Sequence, residues 1–547
     1  MKKICTLTGE EFELLPQEES FCRSLGVPPP ETCPEERIRA LMATRNERKL
    51  YHRQCDASGE NIISAYHTDV PFPVYKNAIW WGGGWDAREY GRDFDFSRPF
   101  FEQFLELQNV VPREGTSIFN CENCDYNSHF RNSRNCYMNC LGVGNENVYY
   151  SYWVLHDTDL MDCMLTHNSS LCYECSEVDQ SYNCISLQES TNCNNCFFSY
   201  QLRGSDHCIF CTNLVNKSYY AFNKPCTKEE FSELQQKVLD GSYKTWKKAQ
   251  AEFLKIRAAT IHRALHNINC ENVVGDHFYN SHNLINCFDG NNNEDCIHST
   301  SMGSAKNIQS CYSVGWPTCE MIYFSAVVRG STDVAFGRYI WFSHNLRYCD
   351  SSVSCHDCFG CVGLHHKEYC ILNQQYTKEE YEKLVPQIME HMKKSGEWGS
   401  FFPPHTSSFA YNETSAQEFY PLTKEAALQR GYRWRDEDKR DYLPQTIELP
   451  DNLTAVSENI TKELLACEIS GKNYKVIPQE LEFYRKMNLP IPRFHPDTRY
   501  EQRLSLRNPW KLWTRNCMNC QKEIQTTYAP ERPEIIYCEE CYLQTVY

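Results

Sequence analysis

His207–Leu234 reads HCIFCTNLVNKSYYAFNKPCTKEEFSEL, and Asp357–Leu384 reads DCFGCVGLHHKEYCILNQQYTKEEYEKL. At a constant offset of 150 residues Cys208 and Cys211 fall on Cys358 and Cys361, Leu214 on Leu364, Lys217 on Lys367, Tyr219 on Tyr369 and Asn223 on Asn373. Register kept over that distance marks a duplicated structural unit. Each copy leaves through Thr-Lys-Glu-Glu, with Thr227 or Thr377 placed to cap a helix and a carboxylate three residues on.

Working outward, residues 117–226 and 267–376 share a texture of Asn-Cys dipeptides, among them Asn120-Cys121, Asn183-Cys184, Asn192-Cys193, Asn269-Cys270 and Asn286-Cys287. Cysteines recur at steps of 21 (Cys163 to Cys184, Cys172 to Cys193, Cys349 to Cys370) and 24 (Cys184 to Cys208, Cys287 to Cys311). A repeat of 21 to 24 residues, with short polar turns and no helical period, suits one coil of a parallel β-helix. Cysteine would then stack inside and asparagine would ladder at the corners, with coils about 4.8 Å apart. A string of independent zinc knuckles is the rival fold, but Cys163, Cys184, Cys270, Cys287 and Cys311 lack paired ligands.

A second duplication joins the two ends of the chain. Shifted by 462 residues, Cys5 meets Cys467, Gly9 meets Gly471, Pro16-Gln17-Glu18 meets Pro478-Gln479-Glu480, Arg45-Asn46 meets Arg507-Asn508, and Cys55 meets Cys517. In the C-terminal copy Cys517, Cys520, Cys538 and Cys541 spell C-x2-C-x17-C-x2-C, a spacing that presents four thiolates to one Zn²⁺. The N-terminal copy has Cys55, Ser58, Lys76 and Ile79 at the same register, so three ligands are missing.

Cys5, Cys22, Cys33 and Cys55 offer another four-cysteine set, although their spacing contains no C-x2-C knuckle. Cys172, Cys175, Cys193 and Cys196 repeat the C-x2-C-x17-C-x2-C pattern inside the first repeat. On an outward face these four could bridge a metal; facing inward they would line a narrow core, the reading that the background of cysteines favours.

The expected architecture is mainly β. Two tandem parallel β-helix (solenoid) segments with helical inserts are flanked by two homologous small zinc-ribbon-like α+β end modules. The segments run 1–79 (degenerate end module), 80–116 (aromatic linker and capping helix), 117–226 and 267–376 (solenoid copies), 227–266 and 377–398 (helical), 399–465 (linker) and 466–547 (zinc-ribbon module). Helices are expected over 34–50, 98–107 and 496–512. Trp80–Trp85 reads as an aromatic clamp, because its three glycines lack the strand, helix and lysine of a phosphate loop.

Hydrophobic content of 41% with 13% aromatics is that of a folded chain. The net charge of -16 argues against a protein that coats nucleic acid along its whole surface, yet local basic faces still contact phosphate. Arg499, Arg503 and Arg507 recur at every fourth position of one predicted helix, and together with Arg515 they make the candidate nucleic-acid face. The opposing reading is a solvated helix face paired with Asp497 and Glu501. Neither a leader-like apolar run nor a segment of transmembrane length is present, so a soluble cytoplasmic protein with no membrane partner is expected, and the 32 cysteines point to metal or buried thiols.

Arg515–Tyr547, RNCMNCQKEIQTTYAPERPEIIYCEECYLQTVY, resembles short four-cysteine zinc-ribbon modules. The whole chain is similar to cysteine-rich zinc-ribbon/β-solenoid proteins that recur in small-genome uncultured bacteria. The ribbon resemblance implies Zn as cofactor; the wider one implies no particular activity. A zinc-stabilised binding or scaffold protein is therefore the leading functional expectation, engaging a macromolecule such as nucleic acid or a ribonucleoprotein through the end modules and the solenoid surface. A polymer-acting enzyme with a site in a β-helix groove is an alternative, but no convergent carboxylates or histidine-based site is evident, His365-His366 included. A thiol-based metal-storing or redox protein is the other.

Overall fold

The computed structural model describes residues 1–436 and 441–546, so the expected linker over 399–465 is described except at 437–440. The chain is mainly β and forms two compact units: Met1–Thr116 with Leu265–Asp436 and Pro509–Leu512, and Ser117–Ala264 with Glu437–Asn508 and Trp513–Tyr547. Among the described residues no helix is long and apolar enough to cross a membrane.

The second unit is built on a 16-stranded sheet, parallel but for its last short strand. Its ladder descends from Ile118–Phe119 to the ten-residue strand Tyr182–Thr191, then returns through alternate strands to Glu122–Asp125, so the sheet curls back on itself. Every parallel pair joins residues twelve apart, as in Leu160↔Cys172, Cys172↔Cys184 and Cys196↔Cys208. The pairing step is thus twelve, not the 21 to 24 expected from the cysteine spacing. The longer spacing of 24 is two such steps. The spacing of 21 is one step plus nine, the offset at which a thiol meets a carbonyl across the interior, as in Cys163 Sγ to Cys172 O and Cys184 Sγ to Cys193 O.

The local reason for the step is visible in the backbone. Along both large sheets nearly every third residue is left-handed, for instance Asn120, Asn123, Tyr126, His129, Asn132 and Asn135, so a twelve-residue step contains four β-β-αL triplets. Asparagine tolerates that conformation better than most side chains. Stacked at the step, it also ladders: Asn120 Nδ2 donates to Asn132 Oδ1 at 2.8 Å, and Asn147 Nδ2 to Asp159 Oδ1 at 2.9 Å. The inward rows carry Val148, Leu160, Cys172, Cys184, Cys196 and Cys208, all with 0% exposure. Buried serines serve the remaining amides one step on, with Ser151 Oγ accepting from Cys163 N and Ser181 Oγ from Cys193 N.

Asp157 occupies one of these serine and asparagine positions, and burial pushes its carboxyl up to about 8 although the Ser169 amide and the Thr166 hydroxyl both favour the anion. Between the ordinary carboxyl range and pH 8 the folded state therefore holds a proton that the unfolded chain releases, and stability falls as pH rises through that window. Asn145, one step earlier, donates its Nδ2 to Val154 O at 2.9 Å, so an amide fits the row. Asp157→Asn should stabilise the second unit by roughly 2–5 kcal/mol above pH 8 and by almost nothing at pH 4, because each tenfold change in proton affinity on folding is worth about 1.4 kcal/mol. Urea unfolding of both proteins at the two pH values checks this, and an equal effect at both would refute it.

The first unit holds a 12-stranded sheet built the same way. Its inner row runs Leu284↔Cys296↔Ile308 and, after an irregularity between Gly303 and Ala305, Ile322↔Val334↔Leu346↔Cys358↔Cys370. Around it lie the helices Phe100–Gln108 and Lys378–Ser395, the latter capped by Thr377 Oγ1, which accepts from Glu380 N at 3.2 Å. The tryptophan-rich stretch packs on the same sheet: Trp81 stacks on Trp341 with ring centroids 5.5 Å apart. His365 lies among Trp80, Trp81 and Trp85, where burial pushes its imidazole down to about 4.

Two helices are shorter than the sequence suggests. Pro34–Met42 stops because Asn46 closes a turn, its Oδ1 accepting from Lys49 N at 2.9 Å and its Nδ2 donating to Lys49 O at 2.7 Å. Pro496–Leu504 ends ahead of Asn508-Pro509, where the residue before proline disfavours helix.

Candidate metal centre

Cys517 and Cys520 sit on the turn between the antiparallel strands Trp513–Asn516 and Glu523–Thr526. Cys538 follows Ile535–Tyr537, a strand paired in parallel with Ile261–Arg263, and Cys541 lies in the first turn of the helix Glu539–Val546. One ligand atom from each of the four lies within 4.8 Å of the others. Cys520 Sγ and Cys538 Sγ are 3.7 Å apart, matching the separation of about 3.8 Å expected for two thiolates each 2.3 Å from a tetrahedral zinc.

The turn also prepares the sulfur. Cys517 N donates to Lys522 O, Gln521 N donates to Cys517 O with Gln521 at φ 63°, and Cys538 N donates to Cys517 Sγ at 3.2 Å. Burial works to raise the Cys517 thiol, but the amides of Cys520, Cys538 and Asn519 outweigh it and bring it down to about 6. Cys541 behaves oppositely: Asn519 favours its thiolate, yet burial and the neighbouring cysteines push it up to about 12. Four thiolates this close cannot all ionise alone, and a dication is what lets them. The donor set fits Zn²⁺.

The same turn occurs three more times. Cys5 N donates to Glu10 O and Gly9 N to Cys5 O; Cys55 N to Glu60 O and Gly59 N to Cys55 O; Cys467 N to Lys472 O and Gly471 N to Cys467 O. Gly9, Gly59 and Gly471 are left-handed, at φ 73°, 73° and 70°, in the place of Gln521. The amide-to-sulfur bond recurs: Cys33 N donates to Cys5 Sγ and Lys76 N to Cys55 Sγ, both at 3.3 Å. Where thiolates are gone, hydroxyls stand in: Thr8 beside Cys5, Ser58 beside Cys55, and Ser470 and Thr498 beside Cys467, whose Sγ donates to Thr498 Oγ1 at 3.6 Å. Ser470 takes the position of Cys520, and Thr498 that of Cys541. Sequence reading pairs Cys5 with Cys467 and Cys55 with Cys517 but not the two pairs with each other; the signal for one shared turn is Cys-x3-Gly, at Cys5, Cys55 and Cys467.

Cys5, Cys22, Cys33 and Cys55 do not assemble. Cys5 and Cys33 meet, Cys55 lies on the other turn beside Lys76, Cys22 is bonded by Gln309 Nε2, and among the described residues the four supply no group of three ligand atoms within 4.8 Å. Cys172, Cys175, Cys193 and Cys196 are likewise absent from any such group and are fully buried, on the interior side of the sheet.

The arginine stripe is a correction. The face of Pro496–Leu504 that carries it points inward: Arg499 Nη1 donates to Asp162 Oδ2, Arg503 Nη1 lies 3.0 Å from Asp162 Oδ1, and Arg499 also reaches Glu480 at 3.5 Å. Arg499, Arg503 and Asp162 are buried. Arg507 donates to Glu177 Oε1 at 2.6 Å, and Arg515 to Ala529 O at 3.2 Å. A positive stripe read from spacing four is equally a buried stripe, and two of the carboxylates that take it, Asp162 and Glu177, lie more than 300 residues away in sequence.

Compared with known proteins, the chain matches no family model and no curated protein sequence.

Proposed function

We propose that the chain is a zinc-stabilised binding or scaffold protein. The observation that carries this reading is the closed cluster of Cys517, Cys520, Cys538 and Cys541, which would use all four tetrahedral positions of a zinc and leave none for substrate. Three sister turns keep the same backbone with hydrogen bonds in place of ligands, which supports a role in shape rather than in reaction. Each twelve-residue step is read here as one coil of a parallel β-helix, giving two tandem solenoid segments flanked by sister end modules. Such coils display long regular faces suited to extended partners, and a reducing compartment would keep their thiols free.

Nucleic acid is the partner class we assign. The buried arginines are excluded from that contact, which falls instead to the helix Tyr243–Ala259, where Lys244, Lys247, Lys248 and Lys255 are exposed and Lys244, Lys248 and Lys255 share a face. A fluorescently labelled single-stranded RNA should bind at low salt and weaken steeply as salt rises. Changing the four lysines to glutamate should weaken binding about tenfold or more. No binding by the native chain, or an unchanged variant, removes nucleic acid from the proposal.

A further inference from the structure

The strand Glu271–Tyr279 opens the sheet of the first unit, and its register shifts between Val274 and Gly275. Only glycine fits there, because a Cβ on Gly275 would lie 2.0 Å from Cys287 O. Such irregularities re-aim the residues that follow. Asp276, next in the chain, is 1% exposed, and its Oδ1 accepts from the backbone amides of both His266 and His277. Asn267 ties the preceding segment to the same spot, donating to Gly275 O at 2.9 Å and accepting from Phe278 N at 3.1 Å. Three potential ligands are thereby held by the backbone rather than by flexible surface loops.

With Oδ1 engaged, Asp276 Oδ2 lies 3.4 Å from His266 Nδ1 and 3.5 Å from His277 Nδ1. Ligand atoms of all three residues fall within 4.8 Å of one another, and the two imidazoles stack with centroids 4.7 Å apart. These separations are long for charge-assisted hydrogen bonds, which run about 2.7–2.9 Å. Two ligands about 2.1 Å from a shared tetrahedral ion stand about 3.4 Å apart. We propose that His266, Asp276 and His277 form a second metal site, which takes a divalent transition-metal ion on two imidazole nitrogens and one carboxylate oxygen. The donors differ in kind from the four thiolates: nitrogen and oxygen suit zinc, iron(II) or cobalt(II). Three protein ligands also leave a coordination position for water, the arrangement of reactive rather than structural metal sites.

Cobalt(II) titration of the full-length metal-free protein tests the site. Thiolate cobalt absorbs strongly through charge transfer from sulfur, so the first class of site reports the C-terminal cysteines. A second equivalent should bind with weak ligand-field bands and no added sulfur charge transfer. Zinc analysis after equilibration should then give two ions per chain. The His266→Gln/His277→Gln variant should retain the thiolate signal and one zinc, with affinity for the second ion down about 100-fold or more, beyond what loss of a supporting contact alone costs. A native chain that saturates at one equivalent, or a variant that still holds two, overturns the proposal; the native titration decides even where the variant misfolds.

Discussion

Cys517→Ser is expected to empty the C-terminal cluster and melt the ribbon around it, in a chain whose large parallel sheets stay folded. The sulfur of Cys517 receives the Cys538 amide and lies at the centre of the amides of Cys520 and Asn519, so its loss removes the ligand best prepared for metal. The remaining ribbon has a small core of its own, with Ile524 and Tyr537 packed on the cysteines. Structural zinc in small modules supplies roughly 10–16 kcal/mol of apparent folding free energy, and a serine hydroxyl replaces little of it. Cys467→Ser is the matched control, since its turn is already held by hydrogen bonds to Ser470 and Thr498 and should lose about 1 kcal/mol. Hydrogen exchange over residues 513–546 and zinc content report the difference. Equal protection in the two variants would show that no metal holds the ribbon.

Asp162→Asn is the second large effect. Asp162 has no exposed surface and faces Arg499 and Arg503, themselves 3% and 6% exposed. Converting its charge to an amide leaves two buried guanidiniums with Glu480 and, farther off, Glu174 to offset them, and breaking a buried ion pair of this kind costs about 3–5 kcal/mol. For a unit of this size that lowers Tm by roughly 10 °C. A triple replacement of Asp162, Arg499 and Arg503 by leucine, methionine and methionine should recover much of the loss, because the desolvated charges leave together. A cost below about 1 kcal/mol for Asp162→Asn would mean that the arginines reach solvent, returning them to the pool of cations open to nucleic acid.

Legibility varied with the range of the interaction. The four-cysteine cluster was readable because its ligands lie in 25 residues and the C-x2-C turn is a local conformation. The caps at Thr227 and Thr377 were readable for the same reason, each closing within three residues. The step of the sheets was misread because cysteine marks two geometric relations at once: twelve to the neighbouring strand and nine across the interior. Their sum imitates a longer repeat, as in Cys163 to Cys184. The true marker was the left-handed residue at every third position, which sequence expresses only where asparagine, aspartate or glycine fills it. That all four cysteine turns share one backbone was not legible, because serine, threonine or lysine stands where ligands would be and glycine stands in three of them where the fourth has Gln521.

Composition and local spacing were enough to specify a β-rich chain, its internal duplications and one place where four sulfurs meet, since each follows from residues close in sequence or from a repeat compared with itself. Which face of a stripe is buried, and which distant carboxylate receives it, was settled by packing alone. Arg499 and Arg503 look like an exposed basic face until Asp162 comes within 3.0 Å. Asp276 looks like a surface acid until an irregular strand turns it between two histidines. Charge is written in the residue, but its partner is chosen by the fold, because burying a charge is tolerable only where the chain returns to neutralise it.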